Sequence, residues 1–354
     1  MRKLLLIAVG LCFVASPAVA FHDGGVAHCN GCHTMHNSQD GILVDPANPN
    51  GNAWLLNKTD PSSVCIACHD HLDRTYPIGG DPLAPPGQTE GGNFIFLDED
   101  NLNDGHGGAG NPIPGDAAGH NIVAAEYGLT ADATLTSAPG GTFPSAILSC
   151  TSCHDPHGST DFRFLYGTGR GPGGWNFYNT PAPDADGVSI FASVSGGYHT
   201  AYKAGMSAWC GNCHGDFHNN NTKLIHPSGS TLGGDIANTY NLYNGSDDLS
   251  GGAAATAYLM EVPFEDAANG IYSTAGPSAS SQVSCITCHR AHATSAPDAG
   301  RWDFSVTHLA EDGQESGSFA IPNPCTGYQR SLCNKCHKKD EFDELRDLTP
   351  PPAP

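Results

Sequence analysis

The sequence predicts a loop-rich chain with short helices and little regular secondary structure, folded around a core that its own apolar side chains do not supply. Glycine and proline number 44 and 26 among 354 residues, which favours turns and extended connections. Aromatic residues make up only 8% of the chain, so a polypeptide core would be thin for this length. The third observation is a pentapeptide, C-x-x-C-H, which occurs six times.

This pentapeptide is the attachment signature of a c-type haem. Its two thiols lie one turn apart and form thioethers with the porphyrin, and the histidine supplies the proximal ligand of the iron. A single copy could be a redox dithiol or half of a zinc site, but six copies favour six covalently bound haem c groups over zinc or disulfides. The predicted thioether cysteines are Cys29, Cys32, Cys65, Cys68, Cys150, Cys153, Cys210, Cys213, Cys285, Cys288, Cys333 and Cys336, and the predicted proximal ligands are His33, His69, His154, His214, His289 and His337.

Six porphyrins would bury large flat apolar surfaces and could replace the missing side-chain core. The predicted fold class is therefore a multihaem cytochrome c in which six stacked haems form the core. The motifs are unevenly spaced, which argues against a solenoid. We expect a single hexahaem domain over 21–354, with short helices over 253–262 and 338–347.

The first 20 residues have the pattern of a signal peptide. Arg2 and Lys3 precede an apolar run over 4–14, and Ala18-Val19-Ala20 forms a cleavage site. The run is too short to span a bilayer, and no later stretch is long and apolar enough to do so. We expect removal of residues 1–20 and an exported protein that is extracellular or on the outer cell surface. Apart from Cys12 in this segment, only Cys325 lies outside the motifs.

The chain is strongly acidic, with a formal net charge of −21 from 36 acidic and 15 basic residues. It has no basic patch that would bind nucleic acid, so we exclude that class of partner. The charge favours solubility outside the cell.

Closing six irons on both faces requires six further ligands, which can be histidine or methionine. The chain has 18 histidines and only four methionines, so histidine can serve every iron and methionine cannot. A histidine three residues after a proximal one begins on the same side of its porphyrin, so we expect it to reach a different haem. The predicted distal candidates are His36, His71, His120, His157, His218, His226 and His292, whereas His22, His28, His106, His199 and His308 are expected to lie at the surface.

Several stretches resemble the family of hexahaem c-type cytochromes that form extracellular filaments, or nanowires, on metal-reducing bacteria. The resemblance rests on the mature start at Phe21, on Gly119-His120-Asn121-Ile122-Val123-Ala124, on Ala138-Pro139-Gly140-Gly141-Thr142, and on the residues around the third, fifth and sixth motifs, including Tyr328 to His337. It implies a homopolymer with a continuous row of bis-histidine haems. It also implies that His36 of one subunit coordinates the iron held by His289 of the next.

The predicted function is therefore electron transfer and not enzymatic catalysis. Electrons would pass along extracellular filaments to metal oxides or partner cells, with donor and acceptor proteins as further partners. Two alternatives stay open. A multihaem oxidoreductase of the nitrite or hydroxylamine type would need an iron with an open position. A monomeric periplasmic electron shuttle would not polymerise.

Overall fold

The computed structural model describes residues 28–70, 76, 90–97, 102–103, 112–113, 117–174, 176–188, 194–219, 228–243, 251–302, 304 and 332–337. The predicted signal segment and the predicted helix over 338–347 lie outside these residues. So do five histidines and one cysteine singled out above, namely His22, His71, His106, His226, His308 and Cys325. For His218 the structure describes the backbone alone.

The α-helices within these residues are short, and the longest has 10 residues. They are α1 (Cys29–Cys32), α2 (Pro61–His69), α3 (Cys150–Cys153), α4 (Met206–Cys210), α5 (Gly215–Asn219), α6 (Gly233–Leu242) and α7 (Cys285–Cys288). Single 3-10 turns occur at Ala53–Leu55, Phe94–Leu97, Ala125–Tyr127, Ser145–Ile147, Phe162–Phe164, Pro172–Gly174, Ala254–Thr256, Pro297–Ala299 and Leu332–Lys335.

The described strands form three separate antiparallel pairs. Strand β1 (Ser38–Gln39) pairs with β2 (Ile42–Leu43), β3 (Leu102–Asn103) with β4 (Pro112–Ile113), and β5 (Asp184–Asp186) with β6 (Ala201–Ala204). Two-stranded sheets this short do not hold a fold together by themselves. The predicted loop-rich fold with short helices and little sheet is confirmed.

Apolar side chains are buried in three separate clusters, not in one core. The first surrounds Phe94, Ile95 and Phe96, the second Tyr240, Tyr258 and Trp302, and the third Tyr202, Met206 and Ile286. Each is small for a chain of this size, as the low aromatic content predicts. The clusters pack against cysteines of the motifs, which places them beside the candidate site.

Two pairs of motif helices pack in the same way. Helix α2 contacts α3, and α4 contacts α7. In each pair the two helices are joined by a hydrogen bond. A buried serine of the earlier helix accepts it, and the backbone N–H of the cysteine that begins the later helix donates it. Cys150 donates to Ser62 Oγ and Cys285 donates to Ser207 Oγ, each at 3.2 Å. Motifs two and three are thus fixed against each other, as are motifs four and five.

The expectation of a helix over 253–262 is wrong, since only the turn Ala254–Thr256 forms there. The Tyr258 N–H donates instead to the carbonyl of Thr274, at 3.0 Å, and the Tyr258 side chain enters the second apolar cluster. Tertiary pairing outweighs the helix propensity of this alanine-rich stretch. No helix in the described ranges has the length and apolarity needed to cross a membrane.

Candidate haem-binding sites

Motif two lies within helix α2, and the other five motifs share one backbone hydrogen bond. The histidine N–H donates to the carbonyl of the first cysteine, at distances between 2.8 and 3.0 Å, for His33, His154, His214, His289 and His337. Motif two lies at the end of helix α2, which continues through His69. Each motif is therefore one tight turn that carries two thiols and a histidine, which is the local geometry that haem attachment requires.

Four-residue helices are too short to be stable alone, so neighbouring side chains hold them. At the start of motifs three and five a hydroxyl accepts the N–H of the N-cap residue: Ser149 donates to Ser152 Oγ and Ser284 donates to Thr287 Oγ1, each at 3.0 Å. Asp60 caps the longer helix of motif two, because its carboxylate accepts the N–H of Ser63 at 2.8 Å.

Four of the predicted proximal histidines point Nδ1 at a backbone carbonyl. The acceptors are the carbonyls of Trp54 for His33 (3.0 Å), Arg163 for His154 (2.7 Å), Pro139 for His214 (2.8 Å) and Asp298 for His289 (2.8 Å). A carbonyl can only accept, so Nδ1 carries the proton and Nε2 keeps its lone pair. That is the tautomer in which a histidine binds a metal through Nε2.

In motifs one, three and five the acceptor carbonyl belongs to an unusual turn. Each turn has two consecutive non-glycine residues with positive φ, namely Trp54-Leu55, Arg163-Phe164 and Asp298-Ala299. Such residues cost about 1–2 kcal/mol each. The second carbonyl of each turn accepts the N–H of the residue after the proximal histidine, at 2.7 to 2.8 Å. We call this feature the left-handed clamp; sequence reasoning missed it.

Three histidine pairs meet in space although their members are far apart in sequence. The ring centres of His33 and His157 are 6.4 Å apart, those of His154 and His292 are 6.4 Å apart, and those of His214 and His120 are 5.9 Å apart. Two imidazoles that bind one iron from opposite faces have ring centres roughly 6 Å apart, since each Fe–N bond is about 2 Å. All three pairs therefore have the spacing of a bis-histidine site.

The segments that carry His120 and His292 are joined directly. The His120 N–H donates to the carbonyl of His292 at 3.0 Å, and His120 Nδ1 lies 2.7 Å from the carbonyl of Ala291. Desolvation lowers the pKa of His120 to about 4, which keeps it neutral as a metal ligand must be. Phe94 stacks on the His292 ring with centres 4.5 Å apart.

Glycines allow backbone to approach the site closely. A Cβ on Gly119 or Gly92 would overlap the backbone at His292 and Ala293, and a Cβ on Gly141 would overlap the carbonyl oxygen of Cys213. The Pro139 carbonyl, two residues before Gly141, is the acceptor for His214. The stretch Ala138–Thr142 thus supports motif four, a role that the sequence alone does not reveal.

Replacing Gly141 with alanine should destabilise the haem-loaded protein by about 3 kcal/mol, because the new methyl group has no space beside Cys213. Guanidinium unfolding followed at the haem absorption band measures the effect. Gly270→Ala is the matched control, since a Cβ at Gly270 meets no atom within 4 Å. Equal stability of the two variants would contradict the close contact.

A buried charge cluster lies beside motif five and is also missed by sequence reasoning. The Arg301 Nε donates to the carbonyl of Ile286 at 2.6 Å, and its Nη2 lies 3.8 Å from a carboxylate oxygen of Glu90. Burial lowers the pKa of Arg290 to about 9 and raises the pKa of Glu261 to about 7. Arg290 thus remains a cation at neutral pH. It directly follows His289, and a positive charge at this position would favour the reduced state of an iron bound by His289.

Neither His36 nor His289 forms a ring pair with another histidine among the described residues, although His120 and His214 lie near enough to His289 for an electrostatic interaction. His36 is exposed. The ring of His289 contacts the edge of Phe304, with centres 5.2 Å apart. For the remaining candidates, His71 and His226 fall outside the description and His218 is placed only as a backbone position in α5.

The expectation that His199 lies at the surface is wrong, whereas His28 is exposed as expected. His199 is fully buried, with Nδ1 3.0 Å from the Thr200 carbonyl and Nε2 2.8 Å from the Ser273 carbonyl. Its ring stacks on Tyr258. Both nitrogens are used by the backbone, so this histidine is structural and neither nitrogen is available to a metal.

The chain is 35% identical to the C-type cytochrome OmcS of Geobacter sulfurreducens over an alignment of 434 positions, which covers 96% of this chain and 99% of that protein. The cryo-EM structure of OmcS nanowires from Geobacter sulfurreducens superimposes with a TM-score of 0.77 and 33% identity, over 90% of this chain and 100% of that one. The outer membrane cytochrome S filament from the same organism gives a TM-score of 0.74 and 32% identity over the same shares. No protein-family model matches the chain.

Proposed function

The chain belongs to the OmcS family of c-type cytochromes, and we therefore propose that it is an electron conduit built from copies of itself. Each exported protomer binds six haem c groups through the twelve motif cysteines. The protomers join into extracellular filaments that carry electrons to metal oxides or partner cells. The relatives were solved as nanowires and filaments, which supports the polymeric form.

The observation that carries this proposal is the set of three facing histidine pairs. Each pair combines the proximal histidine of one motif with a histidine from elsewhere in the chain, at ring-centre distances of 5.9 to 6.4 Å. We assign His157, His292 and His120 as distal ligands of the irons held by His33, His154 and His214. When bound, the haem irons would supply a one-electron change, and at these three irons the paired imidazoles would leave no position at which a substrate could bind.

The same pairs bring the sites close together. His154 and His157 lie three residues apart but would bind two different irons, those of motifs three and one. His289 and His292 would link the irons of motifs five and three in the same way. Electron tunnelling falls steeply with distance, so a protein that ties neighbouring irons together through short peptide links is suited to conduction.

Three irons then remain, held by His69, His289 and His337, and four distal candidates remain for them, namely His36, His71, His218 and His226. We assign His36 to the iron at His289 of an adjoining protomer. Its exposure, and the lack of a histidine ring pair at either residue within the described structure, support this assignment.

Low-temperature EPR of the oxidised protein, combined with sedimentation, tests the proposed function. We expect only low-spin ferric signals and a polymer that sediments far faster than a 36.8 kDa chain. A high-spin signal equivalent to one iron in six in the polymer would favour the multihaem oxidoreductase. A stable monomer would favour the periplasmic shuttle.

A further inference from the structure

The odd-numbered motifs are internal repeats, and motif one departs from the other two. Each has a proximal histidine, a second histidine three residues later and a left-handed clamp. Five residues separate His157 from Arg163, and five separate His292 from Asp298. Seventeen separate His36 from Trp54. Motif one therefore carries twelve extra residues between its second histidine and its clamp, and these lie within the segment 37–52.

This segment displays apolar side chains next to His36. It begins with the hairpin β1–β2, whose two-residue turn Asp40-Gly41 has positive φ at both positions, as a tight hairpin requires. Ile42 is 72% exposed in the second strand, and Met35, beside His36, is 77% exposed. Leu43 is also exposed. Large apolar side chains that are exposed on neighbouring stretches of the chain favour an interaction surface.

Hydrogen bonds hold the segment in one conformation. The buried Asn37 amide donates to the carbonyls of Asp45 (3.0 Å) and Asn48 (2.7 Å) and accepts the N–H of Asp45 at 2.8 Å. The Asp45 carboxylate in turn accepts from the amides of Asn48 and Asn52, each at 2.8 Å. A surface that is already ordered loses little conformational entropy when it binds a partner.

We infer that the segment 37–52, together with Met35, is a docking element that seats on a second copy of this chain and guides His36 to it. This inference rests on the proposed function and names the surface through which the copies join. The second histidine of each of the other odd motifs faces a proximal histidine 6.4 Å away. The same frame presents His36 outward, and His289 is the one of the three proximal histidines without an assigned distal partner to which we assign it.

On the neighbouring copy, the docking element would seat on a receiving surface around His289, and Phe304 is part of this surface. This side chain is 42% exposed, packs on Trp302 with ring centres 5.3 Å apart, and contacts the His289 ring. An apolar side chain beside the iron-binding histidine of one copy would meet the apolar strand Ile42–Leu43 that follows the donated histidine of the next. The docking element therefore buries Ile42 and Met35 against the Phe304 region of its neighbour.

Ile42→Asp tests the inference in the full haem-loaded protein that keeps His36. Because Ile42 is exposed in the protomer, the variant should fold with six haems, which pyridine haemochrome analysis verifies. We expect the polymeric fraction in sedimentation to fall at least about tenfold, since a carboxylate would be desolvated at the interface. Ile236→Asp, on the exposed side of α6, is the matched control and should assemble as the unmodified protein does.

A mixing experiment adds a second measurement. The Ile42→Asp protomer retains its receiving surface, so a small fraction of it should shorten filaments of the unmodified protein by stopping growth at one end. The Ile236→Asp protomer should not. Normal assembly of Ile42→Asp, with no shortening, would overturn the docking element. If His36→Ala then still blocked assembly, the proposed function would stand without the docking element. An unmodified protein that stays monomeric would refute the proposed function itself.

Discussion

Replacing His36 with alanine should abolish filament assembly while leaving six haems in every protomer. His36 is exposed and lies outside the C-x-x-C-H pentapeptide of motif one, so its loss removes no thioether and no proximal ligand. The iron at His289 of the adjoining copy would lose an imidazole, and the contact between copies would lose a coordinate bond. Electron microscopy counts the filaments, and pyridine haemochrome analysis counts the haems.

His28→Ala is the matched control, because it removes another exposed histidine next to the same motif. His28 directly precedes Cys29 at the N-cap of α1, and its side chain makes no capping hydrogen bond. Its loss should leave both the filaments and the haem content unchanged. Normal filaments from His36→Ala would show that copies join without this ligand.

Replacing His292 with alanine should open one iron in every protomer. The His292 ring lies 6.4 Å from that of His154, and we assign the two as ligands of one iron. With His292 gone, about one iron in six should give a high-spin ferric EPR signal, and that site should bind small ligands such as cyanide. The other five irons should stay low-spin.

His292→Met separates ligation from packing at the same position. Methionine can bind the iron, so the variant should remain low-spin and raise the potential of that iron by on the order of 0.1 V, within the roughly 0.8 V that axial ligands span. Alanine and methionine both remove the ring on which Phe94 stacks. Similar spectra for the two variants, both low-spin and unshifted, would mean that His292 is not a ligand.

The sequence predicted the architecture well because composition alone determines much of it. High glycine and proline content with few aromatic residues leads to short helices, single turns and small apolar clusters, as the structure has. The local turn of each motif was also predictable, since its cysteines and histidine are fixed in sequence. The expectation that a histidine three residues after a proximal one reaches a different motif agrees with the positions of His157 and His292; their ligation stays a prediction.

Features that depend on distant contacts could not be predicted. His157 faces His33 across more than a hundred residues of irregular chain, and no pattern in the connectors specifies that approach. The left-handed clamps share no residue types, because surrounding structure and not local preference holds residues such as Arg163 and Phe164 at positive φ. His199 was misassigned for the same reason, since the carbonyl of Ser273 that binds its ring comes from a remote loop.

A cryo-EM reconstruction of filaments purified from outside the cell tests the account most directly. It should show every iron held between two imidazoles, with His36 of one protomer bound to the iron at His289 of the next. A vacant or water-bound iron in the filament, or a His36 side chain free in solvent at the junction between copies, would contradict it.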